Sequence, residues 1–579
     1  MTTELLAAPP DAAPLPAYGP ADPSPGDKPG HPSDFTDQRV FPRLDDGEMD
    51  LVRAEGTVEH LADGQAAFIA GDANVDFFVI ESGGLTVTNP RDNDRKIVTH
   101  GPRGFVGDID LLTRRPVIVS AIADGPTTVL RVPAARLRQL LNTVPRLSEK
   151  VLVAFQVRRQ KLAEKGVAGA VVVGPAGCRE TTEAREFLYR NFVPASWVDS
   201  TTDAGRRQLA GYGQGTRTPV VDCGPGRVLA HPTLHELAEC VGIWQGCPLD
   251  TYDLAVVGCG PAGMSAAVYA ASEGLKVCVL DKLGPGGQAA GSSRIENFIG
   301  FPSGLSGTDL ATRAVLQMMK FGSQLSVPLK VIRLEAGATE EDPHLLHLDC
   351  GASLKAHTVL AATGVRWRKL DVPGATKFER AGVYYACTSV EVAEHQGTDV
   401  CVVGGGNSAG QAAMYLAEHC AKTVHVIVRG KGLSATMSEY LSDRLTNTPN
   451  IRIHTGTCVA EVFGDRRIDA IDVVPRAGGD RTRVPCSAVF VFIGSDPHTD
   501  WLPASVERDA GGFVLTGPDV ERSGHWPLAD RVPCPLETTL PRVMAAGDLR
   551  AGSTKRVGFA VGDGSLAVTC AHRLRQIRV

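Results

Sequence analysis

"TYDLAVVGCGPAGMSAAVYAASEGLKVCVLDK", Thr251–Lys282, decides how this chain folds. An apolar run from Leu254 to Val257 ends in Gly258-Cys259-Gly260-Pro261-Ala262-Gly263, an alanine-rich stretch follows, and a second apolar run stops at Asp281. Read as strand, turn, helix and strand, this is a dinucleotide-binding unit. Gly258 permits the tight turn, Gly260 brings the backbone up to a pyrophosphate at a helix N-terminus, and Gly263 lets helix and strand pack closely. Asp281 is placed to accept hydrogen bonds from a ribose.

The pattern recurs at "TDVCVVGGGNSAGQAAMYLAEHCAKTVHVIVRGKG", Thr398–Gly432, where Gly404, Gly406 and Ala409 give G-x-G-x-x-A and Asn407-Ser408 open the helix. The second strand ends in Val428-Arg429, with Lys431 close by and no acid. A carboxylate there would repel a 2′-phosphate, whereas Arg429 and Lys431 neutralise one, so this unit is expected to take NADPH.

The remaining bounds are broad. At 579 residues, 43% hydrophobic and 21% charged, the chain is ordinary globular material with room for several domains. A formal net charge of -6 gives no electrostatic case for nucleic acid, and no apolar stretch approaches the roughly 18 residues that suggest a membrane span. Residues 1–40 are rich in Pro, Ala and Asp, without a basic or apolar leader segment; a disordered tail and a cytoplasmic protein are expected. None of the fourteen cysteines forms a C-x-x-C pair, which suits a reducing compartment and implies no metal site.

With "GPGGQAAGSSRIENFIGFPSGLSG", "LAATGVRW" and "VMAAGDLRAGSTKRVGFAVGDGSLA" added in that order, the region from about Tyr252 to Val579 resembles the low-molecular-weight thioredoxin reductases. The resemblance implies FAD on the first fingerprint and NADPH on the second, with the NADPH domain inserted in the FAD domain, and a homodimer. It places Gly287 and Gln288 in a flavin-side loop, Asn297 beside the isoalloxazine, Thr363 and Gly364 at the exit turn, Asp548 on the ribityl or phosphate side, and Lys555-Arg556 near the flavin. It also implies that the NADPH domain rotates on linkers near Trp367 to Gly374 and Val484 to Ala488. Of the family's H-R-R cluster at the NADPH site, Arg429 survives and Lys431 substitutes.

The departure that matters most is "GVYYACTSVE", Gly382–Glu391. The family has Y-C-A-T-C there; here Ala386 and Ser389 fall on the cysteine positions and Cys387 between them. A dithiol relay needs two sulfurs in reach, so electrons are expected to leave for an external acceptor: a protein, quinone, iron–sulfur protein or oxygen. Cys387 reads either as a lone activated thiol or as a small buried residue.

Upstream, strands followed by amphipathic helices resemble the cyclic-nucleotide-binding domain. Phe105, Gly107, Asp108, Leu111 and Pro116 fit its phosphate cassette, but Val117 stands at the arginine position and Asp110 adds a charge. Cyclic nucleotide binding is therefore doubtful unless Arg114 or Arg115 compensates. The stretch from Gly169 to Ile243 resembles a glutaredoxin-like thioredoxin fold, with Thr218-Pro219-Val220 at the cis-proline position and Cys178 at the first active-site position. A disulfide reductase working through an unpaired thiol, Cys387 or Cys178, and a sensor or docking protein are the competing readings. The expected fold is multidomain α/β: tail 1–40, cyclic-nucleotide-binding-like 41–165, thioredoxin-like 166–246, FAD domain 250–372 and 488–579, NADPH domain 373–487.

Overall fold

The computed structural model describes residues 5–6, 39–164, 167, 169–224, 226–244, 246–292, 294–433 and 437–576. Most of the expected tail lies outside these; within it, Leu5–Leu6 pairs antiparallel with Val228 and Leu229. The chain forms two compact units. One contains Ala176–Arg190, Gly246–Ala314 and Ser323–Val579; the other contains Pro175 and the described residues before it, Asn191–Gln245 and Val315–Gly322.

The first unit is built on two sheets. In one, Gln324–Ser326, Val277–Leu280, Thr251–Val257, Ser353–Ala361, His344–Leu348 and Val331–Glu335 lie side by side, and Val543–Ala545 also pairs with Ser353–Ala361. The fingerprint strand sits in its middle, parallel to both neighbours, and is buried over its last four residues, as a strand covered on both faces must be. In the other sheet all strands are parallel, in the order Val383–Tyr384, Ala488–Val491, Asp399–Val403, Thr423–Val428, Ile451–Thr455. These are the two Rossmann-like sheets that the fingerprints predict.

One boundary needs correction. Ala488–Val491 is a fully buried strand between Val383–Tyr384 and Asp399–Val403, so the NADPH-side sheet does not end at 487. The crossings between the sheets are made instead by Val365–Trp367 and Ser495–Pro497, which pair with each other antiparallel.

In the second unit, two antiparallel sheets form a β-roll. One runs Thr57–Leu61, Thr127–Val132, Phe77–Ser82, Phe105–Val106, and the other Ala66–Phe68, Ser120–Ala123, Leu85–Asn89, Arg95–His100. The helices Ala134–Thr143 and Pro145–Glu164 follow. Phe77, Phe105 and Phe155 meet at ring-centroid distances of 5.2 to 6.3 Å and knit the last helix into the core. The same unit holds the strands Ala195–Asp199, Ala170–Gly174, Val220–Asp222 and Val228–Ala230 in that order, the first pair parallel and the rest antiparallel; the Thr218–Pro219 bond is cis.

The expected segment 166–246 does not stay together. Its helix Arg179–Arg190 belongs to the dinucleotide unit, anchored by a buried Arg185–Glu394 ion pair and by a 3.0 Å hydrogen bond from Arg185 to the Val390 carbonyl. The expectation of a reduced chain without disulfides is corrected in part: Cys223 is bonded to Cys240 and Cys247 to Cys350, whereas Cys178 and Cys387 are free. Cys223 follows the strand Val220–Asp222 and Cys240 ends the helix Leu234–Cys240, with their Cα atoms 6.0 Å apart. Proximity of this kind comes from the fold and has no signature in cysteine spacing.

Candidate functional site

Three helices begin at one cavity of about 1640 Å³: Pro261–Ser272, Asn407–His419 and Val557–Gln576. The first two are capped by Gly260 and Gly406, which offer no side chain to their leading N–H groups, so those donors and the positive helix ends are left for an anion. Gly258, at φ +108°, could not carry a Cβ without striking the Ala362 carbonyl, and Gly404, at φ +148°, meets the Phe492 carbonyl in the same way. Beside Gly260 the nearest atom to a Cβ would be Gly287 Cα, 3.8 Å away, so the backbone is open to the cavity there. Gly263 packs behind the turn against Gly258 and does not line the cavity.

Of the residues expected to hold FAD, Gly258, Gly260, Pro261, Ala262, Asp281, Gly287, Gln288, Thr363, Gly364, Asp548, Lys555 and Arg556 all line this cavity. Asp281 accepts hydrogen bonds from the backbone N–H groups of Cys259 at 2.8 Å and of Leu283 and Gly284 at 2.9 Å, so it also holds the turn in shape. Thr363 donates to the His498 carbonyl at 2.7 Å, and Gln288 donates to the Val365 carbonyl. Burial raises the Asp548 carboxyl while Lys555 opposes it. Asn297 is exposed and lies outside the cavity lining. Lys282, which also lines the cavity, is depressed by burial and by the cations Lys330, Arg366 and Arg380, whereas Asp281 works the other way. Burial, with Lys282 adding, holds His498 down at about 4, so its imidazole is neutral. The sequence reading missed this positive wall because its members are scattered.

Of the residues expected to hold NADPH, Gly404, Gly406, Asn407, Ser408, Ala409 and Arg429 line the same cavity. Asn407 accepts from Ser438 N–H at 2.8 Å. Lys431 is exposed and is not part of the lining; Arg476, just past the strand Ile468–Pro475, is. A cation 47 residues beyond Arg429 leaves no local pattern to find.

The Gly382–Glu391 stretch forms another wall through Tyr384, Tyr385, Ala386, Cys387 and Glu391. Ala386 sits against Gly291 of the flavin-side loop, where a Cβ on the glycine would lie 3.5 Å from the alanine methyl. Cys387 is 2% exposed, and burial, reinforced by Glu391 and Cys420, pushes its thiol well up, so its surroundings hold it protonated rather than as a nucleophilic thiolate. Glu391 accepts from Thr388 N–H at 2.7 Å and from its hydroxyl at 2.6 Å, closing the start of the short helix Ser389–Val392. Burial, with Glu186 adding, pushes its carboxyl up to about 7. Thr182, Glu186 and Arg190 of the helix Arg179–Arg190 complete this wall, and Arg190 donates to the Gly287 carbonyl at 2.7 Å. Cys178, just before that helix, donates to Glu180 at 3.2 Å and lies outside the cavity lining.

In the β-roll, Gly107 at φ +135° leaves no room for a Cβ against Leu111, as the cassette pattern requires. Of the two arginines expected to compensate, Arg115 is buried and donates to the Asn191 carbonyl while Arg114 is exposed, and Asp110 pairs with Arg159.

Paired glycine turns opening on one cationic cavity define a dinucleotide-binding protein, and the donors present suit two pyrophosphates. Residues 252–564 match the pyridine nucleotide-disulphide oxidoreductase family, and residues 58–144 match the cyclic nucleotide-binding domain. The chain belongs to the pyridine nucleotide-disulphide oxidoreductases, FAD-dependent NAD(P)H enzymes whose thioredoxin reductase branch uses FAD and NADPH. It is 32% identical over 344 residues to an NADH dehydrogenase of Bacillus subtilis (strain 168), covering 59% of this chain and 62% of that one. It is 31% identical over 318 residues to a thioredoxin reductase of Mycoplasma pneumoniae, covering 55% of this chain and 93% of that one. The crystal structure of T. acidophilum thioredoxin reductase superposes with a TM-score of 0.50 at 26% identity, over 56% of this chain and 99% of the other. Among the described residues no helix is long and apolar enough to cross a membrane.

Proposed function

We propose that this chain is an NADPH-dependent FAD oxidoreductase that passes electrons to an external acceptor without a dithiol relay. The observation that carries this reading is the single cavity onto which both fingerprints open, with Ala386 on its wall at the first of the two positions where the family has cysteines, Ser389 at the second, and Cys387 between them. The groups held there would supply hydride transfer from a nicotinamide to a flavin, chemistry that needs two rings held close rather than an acid or base. The chain's part is to hold and orient. The helix starts at Gly260 and Gly406 would hold the pyrophosphates, Arg429 and Arg476 would neutralise the 2′-phosphate, and Lys555 and Arg556, at the start of Val557–Gln576, would serve the flavin.

The thiol relay is the weaker reading, because Cys387 is buried as a protonated thiol and Cys178 is not on the cavity wall. The strand order of residues 170–230 supports a thioredoxin-like fold for that segment, in a docking role. A homodimer and a cytoplasmic location complete the proposal. Stopped-flow absorbance tests it: NADPH is expected to bleach the flavin band faster than NADH, and quinone, oxygen and protein acceptors to reoxidise it. Absence of bleaching overturns the reading, and disulfide turnover lost in Cys387→Ala replaces it with the thiol relay.

A further inference from the structure

The β-roll holds a second cavity of about 70 Å³, lined by Phe68, Val87, Val98 and Val117, with His100, Asp108, Arg158 and Lys161 as the ionisable residues of its wall. Arg158 comes from the helix Pro145–Glu164 and is 7% exposed. Its Nε donates to the Val40 carbonyl at 2.9 Å and its Nη1 to the Gly107 carbonyl at 3.0 Å; Nη2 has no hydrogen-bond partner. Its guanidinium carbon stands 4.5 Å from the Phe105 ring centroid.

The surrounding charges do not balance. Arg159 pairs with Asp108 at 3.4 Å and with Asp110, and Arg115 is buried beside them. Three guanidinium groups, Arg115, Arg158 and Arg159, face two carboxylates, Asp108 and Asp110, which leaves one positive charge over. Asp108, on the same wall, acts on Arg158 electrostatically, but among the described residues its ion pair is with Arg159 and Arg158 has none. His100 adds no charge, since burial with Arg158 beside it holds the imidazole down at about 3. A buried guanidinium with a free N–H and no counter-ion is costly, and an anion in the adjoining cavity would offset that cost.

The cavity limits what the anion can be. A void of about 150 Å³ takes one benzene, so 70 Å³ has room for only a few heavy atoms and none for a cyclic nucleotide. The apolar lining adds a preference for carbon over further oxygens. We propose that this cavity binds a short-chain carboxylate of two to four carbons, its oxygens on Arg158 and its alkyl body against Val87, Val98 and Val117. The domain would then be an anion sensor whose charge partner comes from the helix instead of the cassette.

Calorimetry on the full FAD-loaded chain tests this, titrating acetate, propionate, butyrate, inorganic phosphate, chloride and cyclic AMP at matched ionic strength. One saturable site per chain for propionate or butyrate is expected, with none for chloride. Arg158→Met should weaken it at least about tenfold, equivalent to about 1.4 kcal/mol. Val98→Phe, which fills the cavity without touching the charge, should weaken it as much and decides the matter if Arg158→Met does not fold. No saturable carboxylate binding, binding unchanged in Val98→Phe, tighter binding of phosphate than of propionate, or micromolar cyclic AMP that displaces propionate would each overturn the proposal.

Discussion

Cys387 shows how far a residue's neighbours can move it from the role its sequence position suggests. Beside an expected flavin it reads as a reactive thiol, yet Glu391 and full burial disfavour the thiolate. Cys387→Ala is therefore expected to leave the rate of flavin reduction by NADPH unchanged and to cost about 1 kcal/mol of stability in denaturant melts, as for a small buried hydrophobe. Glu391 supplies a pH test. Its carboxyl moves from an ordinary value of 4.5 to about 7 in the folded chain, through burial first and Glu186 second, with Thr388 opposing. Between those values the folded state holds a proton that the unfolded state has released, so stability falls as pH rises through the window. Glu391→Gln keeps an acceptor for Thr388 but does not titrate. Its unfolding free energy relative to the parent should rise from pH 5 to pH 8, by on the order of 3 kcal/mol. At the nucleotide end, Arg429→Ala and Arg476→Ala should each lower the preference for NADPH over NADH in Michaelis constants by about tenfold or less, the value of one charged contact. Arg429 was legible because it ends a strand after a glycine turn; Arg476 and Arg158 were not, because each acts on groups far away in the chain.

Among the elements, those that announce themselves by local chemistry were read correctly, namely the two fingerprint turns with their flanking strands and helices. Glycines at fixed offsets between apolar runs leave few alternatives. Elements whose place depends on distant partners were misassigned. Ala488–Val491 looks like any apolar run, and only its pairing with strands more than 80 residues upstream places it in the NADPH-side sheet. The helix Arg179–Arg190 is a sharper case, since its sequence continues the thioredoxin-like pattern while its side chains belong to the dinucleotide unit. Arg185 and Glu394 are 4% and 5% exposed, and Arg380 reaches Glu183 at 3.2 Å and Glu186 at 3.4 Å. Arg185→Ala would strand a buried carboxylate and should destabilise the unit by about 3 to 5 kcal/mol, whereas Arg185→Met with Glu394→Leu should recover most of that loss. Chemical denaturation of the two variants checks the pair. Equal losses would mean that the helix is held by its other contacts.

At the scale of the whole molecule, the two units have separate cores and separate candidate ligands. The β-roll core contains Phe77, Leu130 and Phe155, and the NADPH-side sheet buries its own cluster around Val402, Leu416 and Phe490. A ligand stabilises only the cooperative unit that binds it, by about 4 kcal/mol at a thousand times its dissociation constant. Scanning calorimetry of the full chain should therefore resolve two transitions, of which added FAD raises one. Propionate should raise the other, and Val98→Phe should abolish that second shift without touching the first. If FAD and propionate instead move a single shared transition, folding of the sensor-like and catalytic units is coupled, and the anion site acquires a route to the flavin chemistry that separate cores would deny it.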